Sequence, residues 1–183
     1  SDVYKRQDQQ STPQTNQKLE LDQSPTAVPA GSLPPGDKCI LPTEGSNVST
    51  KELKPGFVQR LNAWYKEATS LGYKIVCSSA YRSTAHQARL YQQDLDKHGG
   101  KPSGFVAKPG GSTHELGLAV DVKVTGNGVS ITKLSGDAER AGVNYDTPEY
   151  RALLAKYSLH QPLHPKLVPT PSAPEHWHIE PIE

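Results

Sequence analysis

The sequence predicts an α+β fold, a small antiparallel sheet flanked by about three helices. Helical periodicities and β-branched runs are interspersed along the chain, and a long excursion precedes each strand-like run. Gly (15) and Pro (16) account for about 17% of the 183 residues, against roughly 12% in average proteins. Only 34% of residues are hydrophobic, so the core should be modest and the loops many.

Residues 1–36 stand apart, with six Gln, five Pro and four Ser and no apolar period. Such a stretch buries too little surface to offset its ordering entropy, so it reads as a disordered tail or linker. The opening Ser1 to Gln7 reads as a remnant outside the fold. After Pro55, the residues Val58, Leu61, Tyr65, Ala68 and Leu71 recur at helical spacing, and Gly72 stops the run. Tyr73 to Ser79 follows as a buried strand. Ser83 should cap a second helix over about 84–97, with Ala88, Tyr91 and Leu95 inward and Gly99-Gly100 ending it. Gly117 to Val122 reads as a strand, and Asn127-Gly128 as a tight turn before another strand at Val129–Thr132. Thr147 and Pro148 open a third helix reaching about Ser158. A Pro-rich loop then precedes a last strand, His176–Glu180.

Lys plus Arg number 20 and Asp plus Glu 19, a net charge of +1 with neutral His. That balance argues against a nucleic-acid binder working through bulk charge. No apolar run approaches the roughly 20 residues needed to cross a bilayer. The absence of Met reads as a fragment or processed form, with any signal or anchor outside it. Cys39 and Cys77 are either two unrelated reduced thiols or one bridge pinning the N-terminal segment to the core. Such a bridge would contribute on the order of 4 kcal/mol in the chain-entropy model and would fit an exported protein.

Three segments concentrate chemistry: Ser79 to Ser83, Ser112 to Asp121, and Glu175 to Glu180. Asp121 lies inside the apolar run Leu-Ala-Val-Asp-Val, where a carboxylate is costly to bury unless it is paired or bound to a metal. His176 and His178 lie two apart in an expected strand and so share a face, with Glu175 just upstream. Imidazoles and carboxylates are good zinc ligands, and two such clusters in expected core strands point to a metal site. Either His176 or His178 could then serve.

These segments also carry a resemblance. Ser112, His114, Gly117, Ala119 and Asp121, followed 54 residues later by Glu175 and then His178, resemble the VanY-type D-alanyl-D-alanine carboxypeptidases. These sit in the wider group of zinc peptidoglycan peptidases that includes phage L-alanyl-D-glutamate endolysins. Tyr81-Arg82-Ser83 and Gln87 match as well, and the resemblance covers roughly residues 50–181. It implies a zinc peptidase domain over 37–183, with the sheet carrying one Zn2+ on His114, Asp121 and His178. Glu175 would be the general base and Arg82 would stabilise the oxyanion or hold a substrate carbonyl or carboxylate. Ser112 and Gln87 would bind substrate polar groups, and His178 rather than His176 would be the ligand. The implied partners are peptidoglycan stem peptides, with no nucleic acid and no membrane insertion. A monomer in the cell envelope or outside the cell is expected. Since Glu175 and His178 are three apart, Glu175 must sit at a bend before the last strand rather than inside it.

Other readings compete. Ser130-Ile-Thr-Lys133 matches the Ser-x-x-Lys of serine peptidases, but it falls in an expected hairpin without the companion motifs. A non-catalytic wall-binding module would be marked by loss of the base, yet Glu175 is present. The bond cut is either the terminal D-Ala-D-Ala bond or, as in an endolysin, an internal stem bond. His86, His98, His160 and His164 read as surface or loop residues, with His160 and His164 as candidates for the cleft rim. Trp177 reads as packing or a pocket wall.

Overall fold

The structure is a computed structural model that describes residues 27–36, 38–163 and 175–182. It is an α+β fold. Helix α1 (Pro55–Ser70) precedes strand β1 (Lys74–Ser79) and helix α2 (Thr84–Lys97). A 3-10 turn at Thr113–Leu116 leads into β2 (Val120–Gly126) and β3 (Val129–Ile131). The short helix α3 (Gly136–Arg140), α4 (Pro148–Lys156), β4 (Leu159–His160) and β5 (His178–Pro181) complete it. The strands form one antiparallel sheet in the order β1-β2-β5-β4, with β3 paired to the far end of β2.

Alternation along β2 divides its residues between two environments. Val120, Val122 and Val124 are fully buried and join Phe57, Leu61 and Trp64 of α1 and Tyr150 and Leu154 of α4 in one core. Asp121 and Lys123 point to the opposite face. α1 starts with Pro55 at its first turn, as expected. Its buried stripe is Phe57, Val58, Leu61, Trp64 and Ala68, while Leu71 lies past the helix end and is 54% exposed. α2 differs from expectation on its inner face. Ala88 is exposed and Tyr91 and Leu95 are half-buried, while the buried residues are Gln87 and Asp94. This helix covers a polar cleft rather than the apolar core. Ser83 caps it, accepting from the His86 N–H at 3.1 Å.

Two strands begin later than the β-branched pattern suggests. Gly117 is the left-handed end of the 3-10 turn (φ 70°), so β2 starts only at Val120. A Cβ at Gly117 would lie 2.4 Å from the Glu52 carbonyl oxygen, so the turn presses against that loop as only glycine allows. β5 starts at His178 rather than His176, because His176 and Trp177 form a turn. The Asn127-Gly128 turn has both residues at positive φ, 50° and 81°, as a tight hairpin requires. Thr147 caps α4 by accepting from the Tyr150 N–H at 3.1 Å. α3 was not foreseen: five residues show too little periodicity to read.

Of the N-terminal segment, the described residues include a 3-10 turn at Ala30–Ser32, and the Val28 N–H donates to the Lys156 carbonyl at 2.7 Å. Residues 1–26 lie outside the described residues, as do His164, Pro171 and Pro174. Both cysteines are free. Burial pushes the Cys77 thiol up to about 12, so it behaves as an inert apolar side chain. No helix among the described residues is long and apolar enough to cross a membrane.

Candidate metal centre

Asp121 is the hub. It lies opposite His178 in the β2–β5 pairing and opposite Ser79 in the β1–β2 pairing. The β1 register slips between Cys77 and Ser79, a bulge that turns Ser79 towards Asp121 and re-aims the chain that follows it. A row of three strands therefore sets Ser79, Asp121 and His178 side by side. Arg82 follows the bulge, and its Nη2 donates to Ser79 Oγ at 3.0 Å and stands 3.7 Å from Asp121 Oδ2.

His114 enters from the 3-10 turn. A capping box fixes that turn: Ser112 Oγ accepts from the His114 N–H, and Glu115 Oε1 accepts from the Ser112 N–H at 3.2 Å. His114 Nδ1 lies 2.7 Å from the Ala80 carbonyl oxygen. A carbonyl only accepts, so Nδ1 carries a proton, and Nε2 is the nitrogen turned towards Asp121. That Nε2 lies 3.3 Å from Asp121 Oδ1. On the other side, His178 Nδ1 lies 3.1 Å from the same oxygen, and its Nε2 lies 3.0 Å from Glu180 Oε2.

Three potential ligand atoms, one each from His114, Asp121 and His178, thus lie within 4.8 Å of one another. Zinc holds nitrogen and oxygen ligands at about 2.0–2.2 Å in a tetrahedron, which separates adjacent ligand atoms by about 3.4 Å. The 3.3 and 3.1 Å separations here match that spacing. The donor set of two imidazoles and one carboxylate suits zinc, and three protein ligands leave a fourth position open, the pattern of catalytic rather than structural sites. Burial opposes ionisation of Asp121, but His114 and His178 hold its carboxyl well below the usual range. Burial also disfavours a charged His178, yet hydrogen bonds to Asp121 and Glu180 outweigh it and raise its pKa to about 10. Two carboxylates therefore compete for protons at opposite edges of one ring, a density of negative charge that a dication would neutralise.

All seven side chains singled out from the sequence line one cleft of about 590 Å³. Glu175 sits just before the turn that leads into β5, as its spacing from His178 requires, and the His178 N–H donates to the Glu175 carbonyl at 3.0 Å. Burial raises its pKa to about 7, with Asp121, Glu139 and Glu180 adding to the rise and His178 opposing it. That range suits a general base working near neutral pH. Gln87 is buried, and both ends of its amide are engaged. Oε1 accepts from Arg82 Nη1 at 2.9 Å, and Nε2 donates to the Ala107 carbonyl at 2.8 Å. Ser112 lines the cleft while capping the 3-10 turn.

His176 does not share a face with His178. Its Nδ1 contacts Glu139 of α3, and its Nε2 lies 3.9 Å from Asp146 Oδ2. Both carboxylates are almost wholly buried, with side-chain exposures of 2% and 1%. Asn144 donates to Glu139, Arg151 donates to Asp146, and Gln161 Nε2 donates to the His176 carbonyl at 2.8 Å. This second cluster was not legible in the sequence, because Glu139 and Asp146 lie in a stretch with no recognisable period. Glu180 was missed too, although its place two residues after His178 in a strand was a usable signal. His160 lines a neighbouring hollow with Arg151 and Leu159 that shares Leu163 with the cleft, and it is not itself among the residues lining the cleft; Ser130 and Lys133 do not line the cleft either.

Comparisons with known proteins bear on the fold and the family. YodJ of Bacillus subtilis (strain 168), a carboxypeptidase by its assigned name, is 27% identical over 110 residues, which is 58% of this chain and 40% of that protein. The chain thus spans two fifths of that curated relative's length. The structure of the LdcB LD-carboxypeptidase has the same fold, with a TM-score of 0.60 at 22% identity over 85% of this chain and 72% of that one. The vancomycin-resistance D,D-dipeptidase VanXYg, solved with a D-Ala-D-Ala phosphinate analogue, is 26% identical with a TM-score of 0.50, covering 71% of this chain and 50% of that one. The VanY D-alanyl-D-alanine carboxypeptidase model matches residues 50–180. With its motifs gathered in a single cleft, the chain belongs to the VanY family of D-alanyl-D-alanine carboxypeptidases.

Proposed function

We propose that this chain is a zinc-dependent DD-carboxypeptidase that removes the terminal D-Ala from peptidoglycan stem peptides. The observation that carries the proposal is the convergence of three ligand atoms in a cleft that also holds the half-buried carboxyl of Glu175 and a fixed guanidinium. His114, Asp121 and His178 would hold the metal, which when bound supplies a Lewis acid at the attacked carbonyl and lowers the pKa of water. Glu175, which burial keeps a strong base near neutral pH, takes the proton from the attacking water and passes it to the leaving amine of D-Ala. Arg82 is a permanent cation whose aim is set by Ser79 and Gln87. It stabilises charge on the carbonyl oxygen or holds the terminal carboxylate. Gln87 acts through Arg82, since both ends of its amide are already engaged, and the Ser112 hydroxyl donates to substrate from the cleft wall.

The working unit in this reading is a monomeric domain over 37–183, with 1–36 as a tail or linker. It acts on the wall in the envelope or outside the cell and binds no nucleic acid. The test is digestion of purified pentapeptide muropeptides followed by mass measurement. Release of one D-Ala with the rest of the stem intact is expected. A stem split internally would make the chain an endopeptidase instead. One bound zinc without turnover of any muropeptide would make it a binding module, and activity that survives chelation but is blocked by a penicillin-type acylating agent would make it a serine peptidase.

A further inference from the structure

A histidine in a strand offers a metal only one of its two nitrogens, and a neutral ring carries one proton that must sit on the other. At His114 the choice is settled by the Ala80 carbonyl, which accepts a hydrogen bond from Nδ1–H. At His178 two carboxylates face the ring. Asp121 Oδ1 stands 3.1 Å from Nδ1, and Glu180 Oε2 stands 3.0 Å from Nε2. Left alone with Asp121, the ring would keep its proton on Nδ1, and that proton would occupy the edge turned towards the other ligand atoms. Glu180 is the counterweight. His178 and Glu180 are two apart in β5 and so stand on one face of the strand, and pairing of Glu180 with His160 of β4 fixes its backbone. Thr113 Oγ1 also faces Nε2, at 3.5 Å, too long for a strong bond.

We propose that Glu180 is a positioning residue of the metal centre: by accepting a hydrogen bond from Nε2–H it presents the Nδ1 lone pair of His178 to the metal. The inference rests on the zinc-site reading and deepens it. Partners that orient a ligating imidazole in this way typically account for 10- to 100-fold in metal affinity. A Gln at position 180 still offers an acceptor oxygen without the charge, whereas an Ala offers nothing.

The test is zinc affinity, measured by competition with a chromophoric chelator on the metal-free full chain, with circular dichroism as the check on folding. Glu180→Ala should bind zinc about 10- to 100-fold more weakly than wild type, Glu180→Gln should fall between the two, and Thr113→Val should change affinity less than Glu180→Gln. Wild-type affinity in a folded Glu180→Ala would overturn the role of Glu180 and leave the zinc site standing. A wild-type chain that takes up no zinc would instead bring down the zinc-site reading, and this inference with it. A second measurement needs no variant. Long-range 1H–15N correlation on the zinc-loaded wild type should show His178 protonated at Nε2 and metallated at Nδ1, and the reverse pattern would overturn the proposal even if Glu180→Ala does not fold.

Discussion

Two histidines, His176 and His178, stand two residues apart, each between two carboxylates, and the structure uses them differently. His178 is in a strand, and its Nδ1 shares Asp121 Oδ1 with His114 Nε2. Donor atoms from three different parts of the chain converge there, which is what a metal needs. His176 is in a turn, and its two nitrogens are spread between Glu139 on one edge and Asp146 on the other. Among the described residues no further imidazole or carboxylate joins His176 in a group close enough to share a metal ion. The second cluster is a clamp. It ties the turn next to Glu175 to α3 and to the loop before α4, with Gln161 holding the same turn by its carbonyl. Identical residue types thus give a candidate metal centre or a brace according to whether the lone pairs point inward to one spot or outward to separate ones.

The largest effect should come from the converging set. His114→Ala or Asp121→Asn is expected to lose zinc and reduce D-Ala release to background, as read by metal analysis beside steady-state rates. Full zinc occupancy in either would dissolve the distinction between the clusters. Glu175→Gln separates ligand from base: zinc should stay at one equivalent while kcat falls about 100- to 10,000-fold. Departure of the metal would make Glu175 a ligand. The base also sets a pH dependence. Glu175 must be ionised to act and its pKa is raised to about 7, chiefly by burial. Activity should therefore rise with pH and be lost as pH falls. A bound dication draws that pKa back down, which places the acid limb of the zinc-loaded protein between the ordinary carboxyl range and about 7. Kinetics of the wild type across this range checks the sign, and a rate that climbs as pH falls would contradict it.

Arg82→Ala should come next. If the guanidinium stabilises charge that develops on the carbonyl oxygen, kcat drops roughly 100- to 1,000-fold. If it holds the terminal carboxylate, KM rises while kcat stays nearly constant. Arg82→Lys keeps the attraction but loses the fork that engages Ser79 and Gln87 together, so it should recover part of the loss in either case. The smallest effect on chemistry belongs to the clamp. His176→Ala should keep zinc and lose about 1–3 kcal/mol of stability, because the buried Glu139 carboxylate would lose a hydrogen-bond partner. Urea denaturation of the metal-free chain reads that directly, and an unchanged midpoint would mean that Arg151 and Asn144 suffice for the two carboxylates.

Much of this was legible in residue order alone. Pro55 with a helical apolar stripe, Ser83 and Thr147 as caps, and Asn127-Gly128 as a hairpin turn are local signals, and each structure they imply is local too. The bend before the last strand followed from arithmetic, since residues three apart cannot share a strand face. What failed was long-range. The expected strand at His176 became a turn because only Ile179 and His178 find ladder partners in β2. The inner face of α2 turned out polar because the helix covers the cleft, and no periodicity distinguishes a cleft wall from a core. The clamp joins residues more than 30 positions apart in sequence, from a segment whose only regular element is one short helix.

In the proposed function His178, and not His176, completes a zinc site that serves peptide hydrolysis. Metal-free wild type, His176→Ala and His178→Ala should be titrated side by side with zinc, following bound metal and D-Ala release from a pentapeptide. Wild type and His176→Ala should each take up one equivalent and gain activity with it, while His178→Ala should gain neither. Zinc-dependent D-Ala release in His178→Ala, with loss of zinc in a folded His176→Ala, would contradict the account.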